Sequence, residues 1–403
     1  MSDTNTDVVI IGGGPAGMMA GLLFARAGVR TTVLEKHADF LRDFRGDTVH
    51  PSTLTVFHEL GLLEGLLARP HQRIDELGGR IFGRDIRIAD FRHLPVPAPF
   101  IALMPQWDFL DFVADAARRH PTFTLRQSCA GRELVEEDGR VVGVRTSDGA
   151  GIRARLVIAA DGRDSTHRTN LPATEIGAPM DVFWFRIAKA RGEANHSMGV
   201  FDRGRICVLI DRGDYYQVGF VFPKGRGAQI QAEGLDRFLE RVRAVGPETQ
   251  RVADSVGSWD DVKLLTVTVD RLERWHRPGL LVIGDAAHAM SPIGGVGINL
   301  AIQDAVAAAN LLAGPMAKGE DVEPLLHLVR DRRAWAVRFT QAMQKFAQDH
   351  IIEPTLRRQD GNGEPPLALR AFDRIELLRR IPARVIGLGV RPEHVRSPSA
   401  DPA

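Results

Sequence analysis

Three stretches of this chain carry residue types at spacings that could grip a ligand. The first is Gly12-Gly13-Gly14-Pro15-Ala16-Gly17, with the acid Glu35 following about twenty residues on. Gly12 permits a tight turn, and Gly14 lets the backbone come close to a pyrophosphate. Gly17 and Gly21 let the following helix sit close to a sheet. Unpaired N–H groups at that helix start would face an anion, and Glu35 can accept hydrogen bonds from a ribose. The second stretch is Ala159-Ala160-Asp161-Gly162-Arg163-Asp164-Ser165-Thr166-His167-Arg168. The third runs Gly284-Asp285-Ala286-Ala287-His288 and then Ser291-Pro292-Ile293-Gly294-Gly295-Val296-Gly297-Ile298-Asn299-Leu300. Each of these two sits where an apolar strand would end, and strand ends in α/β sheets are where ligands bind. The chemistry implied is the holding of a dinucleotide, with a helix N-terminus at Gly297 facing an electron-rich ligand.

Elements must bring these residues together. Val8-Val9-Ile10-Ile11 reads as a buried strand, residues 18–27 as a small-residue helix, and Thr31-Thr32-Val33-Leu34 as a second strand ending at Glu35. That context raises the glycine pattern above a glycine-rich turn in some other α/β protein. Residues 52–68 have helical periodicity, with Ser52 as the expected cap. Residues 78–91 read as a hairpin turning at Gly83-Arg84-Asp85. Pro95, Pro97 and Pro99 make a stiff link, residues 107–119 an amphipathic helix, and residues 134–144 a hairpin turning at Asp138-Gly139. Residues 155–160 form a buried strand. Residues 182–189, 205–211 and 215–222 alternate apolar and polar, the mark of an antiparallel sheet, with one more strand at 263–269. Residues 279–283 return to the buried parallel pattern, and 297–313 to small-residue helix. The expected fold is therefore α/β: a doubly wound, Rossmann-like nucleotide domain with an inserted, mostly antiparallel β-sheet domain and C-terminal helices. The boundaries are 1–75, 100–178 and 272–345 for the discontinuous nucleotide domain, 76–99 and 179–271 for the sheet domain, and 346–403 for the C-terminal segment. The last residues, from Arg396, read as frayed.

Bulk properties narrow the classes. A chain of 403 residues exceeds one simple core. Lys+Arg 52 against Asp+Glu 51 leaves a net charge of +1, so nothing points to a nucleic-acid partner. Cys129 and Cys207 are the only cysteines and lack metal-ligand spacing, so no metal is expected and both read as reduced thiols. The polar start Met-Ser-Asp-Thr-Asn-Thr-Asp is no signal peptide, and no uncharged apolar run reaches the ~20 residues of a membrane span. A cytoplasmic monomer or homodimer, with no stable membrane insertion, is the expectation.

Taken together, the three motifs resemble the FAD-dependent monooxygenases of the para-hydroxybenzoate hydroxylase type, over roughly residues 5–345. The resemblance implies FAD as cofactor, NADPH or NADH as co-substrate, and hydroxylation of an aromatic or polycyclic small molecule by O2 through a flavin hydroperoxide. It implies that Gly12, Gly14, Ala16 and Gly17 hold the dinucleotide, with Glu35 on the ribose and Lys36 beside it. Arg45 approaches the pyrophosphate, and Gln106 lies on the ADP side. Asp161 and Gly162 belong to a motif shared by FAD and the nicotinamide. Asp285 binds the ribityl chain, Pro292 lines the flavin face, and backbone at Gly295, Gly297, Ile298, Asn299 and Leu300 meets the flavin edge. His50, Pro292 and Asn299 are the residues expected nearest the reaction. Ala159 departs from the family, which more often has Gly there; packing rather than chemistry should feel the change.

Competing readings stand beside these. His50 could touch flavin or substrate, or be a solvent-side loop histidine. His288 is expected to pack or hydrogen-bond rather than to shuttle protons. Phe183, Phe185, Tyr215, Tyr216, Phe220 and Phe222 could wall an aromatic pocket by one parity, or form ordinary sheet core. Arg45-Gly46-Asp47 spells an adhesion tripeptide by coincidence. The basic, apolar stretch 375–382 could graze a membrane, but Pro382 should interrupt its helix, and a helix packed on the body is favoured. Other flavoproteins could use the same clamp. A halogenase would carry a Trp-x-Trp-x-Ile-Pro signature that Phe183-Trp184-Phe185-Arg186-Ile187 does not supply. A flavin-dependent reductase or a non-catalytic flavoprotein would bind FAD without substrate-matched oxygen use.

Overall fold

In the computed structural model the described residues are 4–41, 48–190, 197–202, 204–357 and 364–400. Strand Thr4–Ile11 lies at the centre of an eight-stranded sheet. Strands Thr31–Leu34 and Phe123–Arg126 follow in parallel on one side, and Gly151–Ala159 and Leu280–Val282 on the other. The apolar run explains itself by parity. Val8 and Ile10 point into one core cluster, Val9 and Ile11 into another, and all four are 3% exposed or less. A parallel strand covered on both faces has no polar side to keep wet.

Helices cover the first face: α1 (Pro15–Arg26), α2 (Pro51–Glu59), α3 (Gln106–Ala117) and, from far along the chain, residues 297–317. The second face is closed by the 131–146 hairpin, Trp275 and Met290. The other large sheet has seven strands, drawn from residues 76–90 and 180–265. All its pairings are antiparallel except Met198–Asp202 against Glu76–Ile81.

Parity on this sheet decides the fate of its aromatics. Phe183, Phe185, Tyr216, Phe220 and Phe222 all point to one side, where α4 (Leu235–Arg243) and Trp259 close a dry core around Phe238. They are sheet core. The opposite parity, with Val182, Trp184, Ile206, Val221 and Phe201, packs with Ile293 of the third motif. Tyr215 falls on that side by register, opposite Ala188, where Arg186 lies over its ring.

Two long helices follow. α5 (Gly297–Ala317) is apolar and long enough to cross a membrane by length and composition alone. It is a core helix instead: 78% of that apolar window is buried in the fold. α6 (Leu326–Ala347) passes through one π-helical stretch, Gln348–Ile352, into a short helix. α7 (Glu376–Gly387) packs against strand Arg84–Asp90, with Ala383 in one cluster with Ala89, and Gly387 fits against Pro51, Phe91 and Leu94.

Several expectations need correction. The 52–68 helix is two pieces, Pro51–Glu59 and Leu63–Leu67, parted at Gly61 with φ of +69°. Its cap is His50, not Ser52, because Pro51 takes the first helical position. The first hairpin turns at Phe82-Gly83, both at positive φ (49° and 74°), as the tightest hairpin turn requires. Strand Lys263–Leu265 is shorter than expected. Pro382 does not break its helix, which runs Glu376–Gly387 through it, and Arg379 ties that helix to the one before it by donating to the carbonyls of Phe372 (2.9 Å) and Asp373 (2.6 Å). Nor are the described residues 396–400 frayed. Asn310 accepts from the N–H groups of Arg396 (2.7 Å) and Ser397 (2.8 Å), and Ala400 N donates to Arg26 O (2.8 Å).

Candidate functional site

The sheet register brings the three motifs to one edge. Ile11 pairs with Leu34 on one side and Ala159 on the other, and Ala159 pairs with Val282. Four adjacent strands, each roughly 4.8 Å from the next, therefore end in one row. Gly12, Glu35, Asp161 and Asp285 leave the sheet along that row.

Contacts around the glycines show how tightly the row is built. A Cβ on Gly12 would lie 2.8 Å from the Asp161 Cα and 2.4 Å from the Ala160 carbonyl oxygen. One on Gly17 would lie 1.9 Å from the Gly12 oxygen. One on Gly284 would lie 2.9 Å from the Ala16 Cβ, so Ala16 joins the first motif to the third. Gly14 differs: a Cβ there meets nothing within 4 Å. Its open side borders the start of α1, which has no side-chain cap and no acid in its first turn. First-turn N–H groups of a helix lack intrahelical partners, so this is an anion cradle. Glu35 is 7% exposed, and its carboxylate accepts from the N–H groups of Gly13 and His37, both at 3.0 Å. It braces the glycine loop through Gly13. Lys36 is exposed just beyond it, and half-buried Gln106 opens α3. Arg45 lies outside the described residues.

The second motif carries an unexpected pair. His167 Nδ1 sits 2.8 Å from Asp161 Oδ2, and the histidine side chain is 5% exposed. The other Asp161 oxygen is buried without a hydrogen-bond partner among the described residues. A buried carboxylate oxygen without a donor calls for a ligand hydroxyl or N–H. Gly162 stands beside it at φ of +90°, with nothing within 4 Å of a Cβ position. Asp285 is met by Arg163 Nη2 at 3.4 Å, and a Cβ on Gly297 would lie 3.9 Å from its Oδ1.

On the far side of the cradle, Asn299 is a clamp. Its Oδ1 accepts from His50 N (2.9 Å) and Thr53 Oγ1 (2.8 Å). Its Nδ2 donates to the carbonyls of Thr48 (3.0 Å) and Gly295 (3.2 Å), and Thr48 Oγ1 also donates to Gly295 O (2.7 Å). The side chain thus spends its bonding capacity on backbone and Thr53. With the side chain so engaged, its backbone at the start of α5 is what remains for a ligand. Gly294 and Gly295, at φ of 76° and 60°, let the loop from half-buried Pro292 fold back onto Thr48 before Gly297 and Ile298 begin the helix.

His50 is not a solvent-side histidine. It is 1% exposed, and its Nδ1 lies 2.8 Å from the Ile386 carbonyl, which can only accept, so that nitrogen carries the proton. Burial pushes its pKa down to about 4, against the opposing pull of that hydrogen bond. It is neutral at pH 7 and faces a cavity of about 30 Å³ shared with Gln303, Arg333 and Leu388. His288 is structural, as expected, but its partner is a side chain rather than backbone. His288 Nε2 is 2.6 Å from Asp304 Oδ2, the same oxygen that accepts from Gly284 N at 3.1 Å, and Trp275 lies against its ring. Arg333 Nε donates to the other Asp304 oxygen at 3.0 Å. Burial alone would raise the Asp304 carboxyl; His288 and Arg333 outweigh it and hold it below its ordinary value.

Motif reading missed Thr48, Thr53, His167, Asp304 and Arg333. A buried acid within a small-residue helix was the one visible signal, at Asp304. The rest meet their partners only through the fold.

Comparison with known proteins now decides the family. The family model described as FAD binding domain matches residues 5–359. The chain belongs to this FAD-binding family, as an FAD-dependent monooxygenase. It is 38% identical over 339 residues to 6-methylpretetramide 4-monooxygenase of Streptomyces rimosus, covering 82% of this chain and 80% of that protein. Among solved structures, p-nitrophenol 4-monooxygenase from Pseudomonas putida superposes with a TM-score of 0.73 at 22% identity, over 96% of this chain and 100% of that one. A myxobacterial FAD-dependent halogenase superposes with a TM-score of 0.74 at 19% identity, over 95% of this chain and 92% of that one. These two likenesses speak for the fold, which hosts more than one chemistry.

Proposed function

We propose that this FAD-dependent monooxygenase hydroxylates a phenol-like or polycyclic aromatic small molecule, with NADPH or NADH as electron donor. The likeness to an enzyme named for a polycyclic substrate, at 38% identity, carries this reading. FAD, when bound, supplies the redox chemistry, drawing electrons from the nicotinamide and activating O2. The residues present fit it: an open anion cradle at Gly14, an unpartnered oxygen on Asp161, and Asp285 beside the N-terminus of α5.

The protein's own part is binding, orientation and exclusion of water. N–H groups of Gly297, Ile298 and Asn299 at the start of α5 favour negative charge placed against them. The Asn299 clamp fixes those groups before any reaction, so no reorganisation is needed. Ile293, next to Pro292, faces the inserted sheet, where Val182, Trp184 and Val221 keep the space dry. His50 acts by holding Asn299; neutral and tied to Ile386, it is a positioning residue. Within this reading, 1–75, 100–178 and 272–345 form the FAD-binding unit, and 76–99 with 179–271 cover the substrate. Stopped-flow oxidation of NADPH and NADH over a panel of phenols, quinolones and polyketide aromatics tests it. Faster flavin reduction with one class, with O2 uptake matched to hydroxylated product, is expected. Reduction indifferent to every aromatic would overturn it.

A further inference from the structure

The family match stops at residue 359, yet the chain beyond it reaches the cofactor cradle twice. The first path starts at the end of α7. Ile386 O accepts from His50 Nδ1 (2.8 Å), His50 N donates to Asn299 (2.9 Å), and Asn299 holds Thr48 and Gly295. The second starts on the final stretch. Arg391 O accepts from Arg333 Nη1 (3.4 Å), with Glu393 Oε1 at 3.9 Å from the same nitrogen. Arg333 donates to Asp304 (3.0 Å), and Asp304 accepts from Gly284 N (3.1 Å), the residue before Asp285. Glu393 N also donates to Gln303, next to Asp304 in α5. Asp304, Arg333 and Glu393 are all 4% exposed or less.

We propose that residues 386–393 are a clamp that positions the FAD cradle from behind, setting how tightly FAD is held through His50 and through the Glu393–Arg333–Asp304 chain. The ends of the two paths are the two backbone segments that flank the flavin side, Thr48 with Gly295 and Gly284 with Asp285. Charge bookkeeping explains the second path. Arg333 lies between two acids, Asp304 at 3.0 Å and Glu393 at 3.9 Å, the latter held in place by Arg332 Nε at 2.8 and 2.9 Å, and a buried cation that loses one of two acids draws harder on the other. Without Glu393, Asp304 is pulled toward Arg333, and its bond to Gly284 N slackens. The outer part of the tail does a different job. Arg26 Nη1 donates to Ser397 O (3.0 Å), an anchor at the opposite end of α1 from the cradle.

The test compares full-length Glu393→Gln, Glu393→Ala and Arg26→Ala with wild type. FAD fluorescence quenching on titration with apoprotein gives Kd, and the melting temperature of the apoprotein gives stability. Both Glu393 variants are expected to raise the FAD Kd, Glu393→Ala roughly tenfold, and to shift the visible band of bound FAD. Arg26→Ala is expected to leave Kd within about twofold of wild type. If Glu393→Ala fails to fold, Glu393→Gln, which keeps the shape, decides. The clamp is overturned if Kd stays at the wild-type value in the Glu393 variants, whatever the melting temperature does. It is equally overturned if Arg26→Ala weakens FAD as much as Glu393→Ala, because general tail packing would then explain both.

Discussion

Single atoms separate the roles of the glycines. Gly17 has no room for a methyl group: its Cβ would lie 1.9 Å from backbone oxygen, which cannot step aside. Gly14 has room, with extended φ and ψ of −76° and −176°. Gly17→Ala should therefore lower the melting temperature of the apoprotein and abolish FAD binding together. Gly14→Ala should cost only a few tenths to about 1 kcal/mol as a weaker cap, yet raise the FAD Kd roughly tenfold by placing a methyl group where pyrophosphate approaches. Thermal melts and FAD titration of the two variants distinguish these outcomes. Equal loss of stability in both would mean that Gly14 is a packing glycine. The motif residues were legible because their chemistry is local: a glycine run, an acid at a strand end, a turn into a helix. Asn299 shows the limit. Its type was readable, but its four partners come from residues 48–53 and 295, and only the fold shows that they use up its side chain.

Elements carry information that residue type does not. On strand Met180–Ala188, Phe183 and Trp184 are neighbours with opposite duties. Phe183 is fully buried against Phe222 and Phe238 on the side away from the third motif. Trp184 packs on the side that holds Ile293. Phe183→Ala should cost about 3–5 kcal/mol in urea unfolding, with FAD affinity kept. Trp184→Ala should cost less and change the KM for the aromatic substrate. A substrate KM that responds to Phe183 and ignores Trp184 would reverse the facing assigned to this sheet. Sequence could not choose the parity, because the alternation expected over 182–189 fails at Val182-Phe183-Trp184-Phe185, where both faces are apolar. It placed most strands of the two large sheets, since turn residues bound them, but not Phe123–Arg126 in the main sheet or Met198–Asp202 in the inserted one. The single helix expected at 52–68 failed for a local reason: Pro51 and Gly61 reset both ends, and periodicity alone spans such a break.

Over the whole molecule, stability and pH are coupled through His50. Its ordinary pKa is 6.5 and its folded value about 4. Between those values the unfolded chain binds the extra proton, so stability is complete above about pH 6.5 and falls as pH drops toward 4. From pH 7 to pH 5 the loss from this one group is about 2 kcal/mol, at ~1.4 kcal/mol per pKa unit. Urea unfolding at the two pH values should show it, and His50→Gln should flatten that part of the slope. An unchanged slope in the variant would mean that the ring is not neutral in the folded protein. Sequence reading placed His50 on a loop because nothing local reveals Ile386, 336 residues away.

Such separations also govern how the protein can be made. Gly12 and Glu35 leave the ribosome early, but their neighbours in the same row of strand ends arrive with residues 159–161 and 280–285. Thr53 and His50 wait some 250 residues for Asn299, and Arg26 waits 371 for Ser397. A nascent chain halted at residue 270 lacks the strand Leu280–Val282, the Gly284–Asp285 turn and the helix from Gly297 that complete the row. Yellow colour should therefore be a late event in biosynthesis, gained by a finished polypeptide.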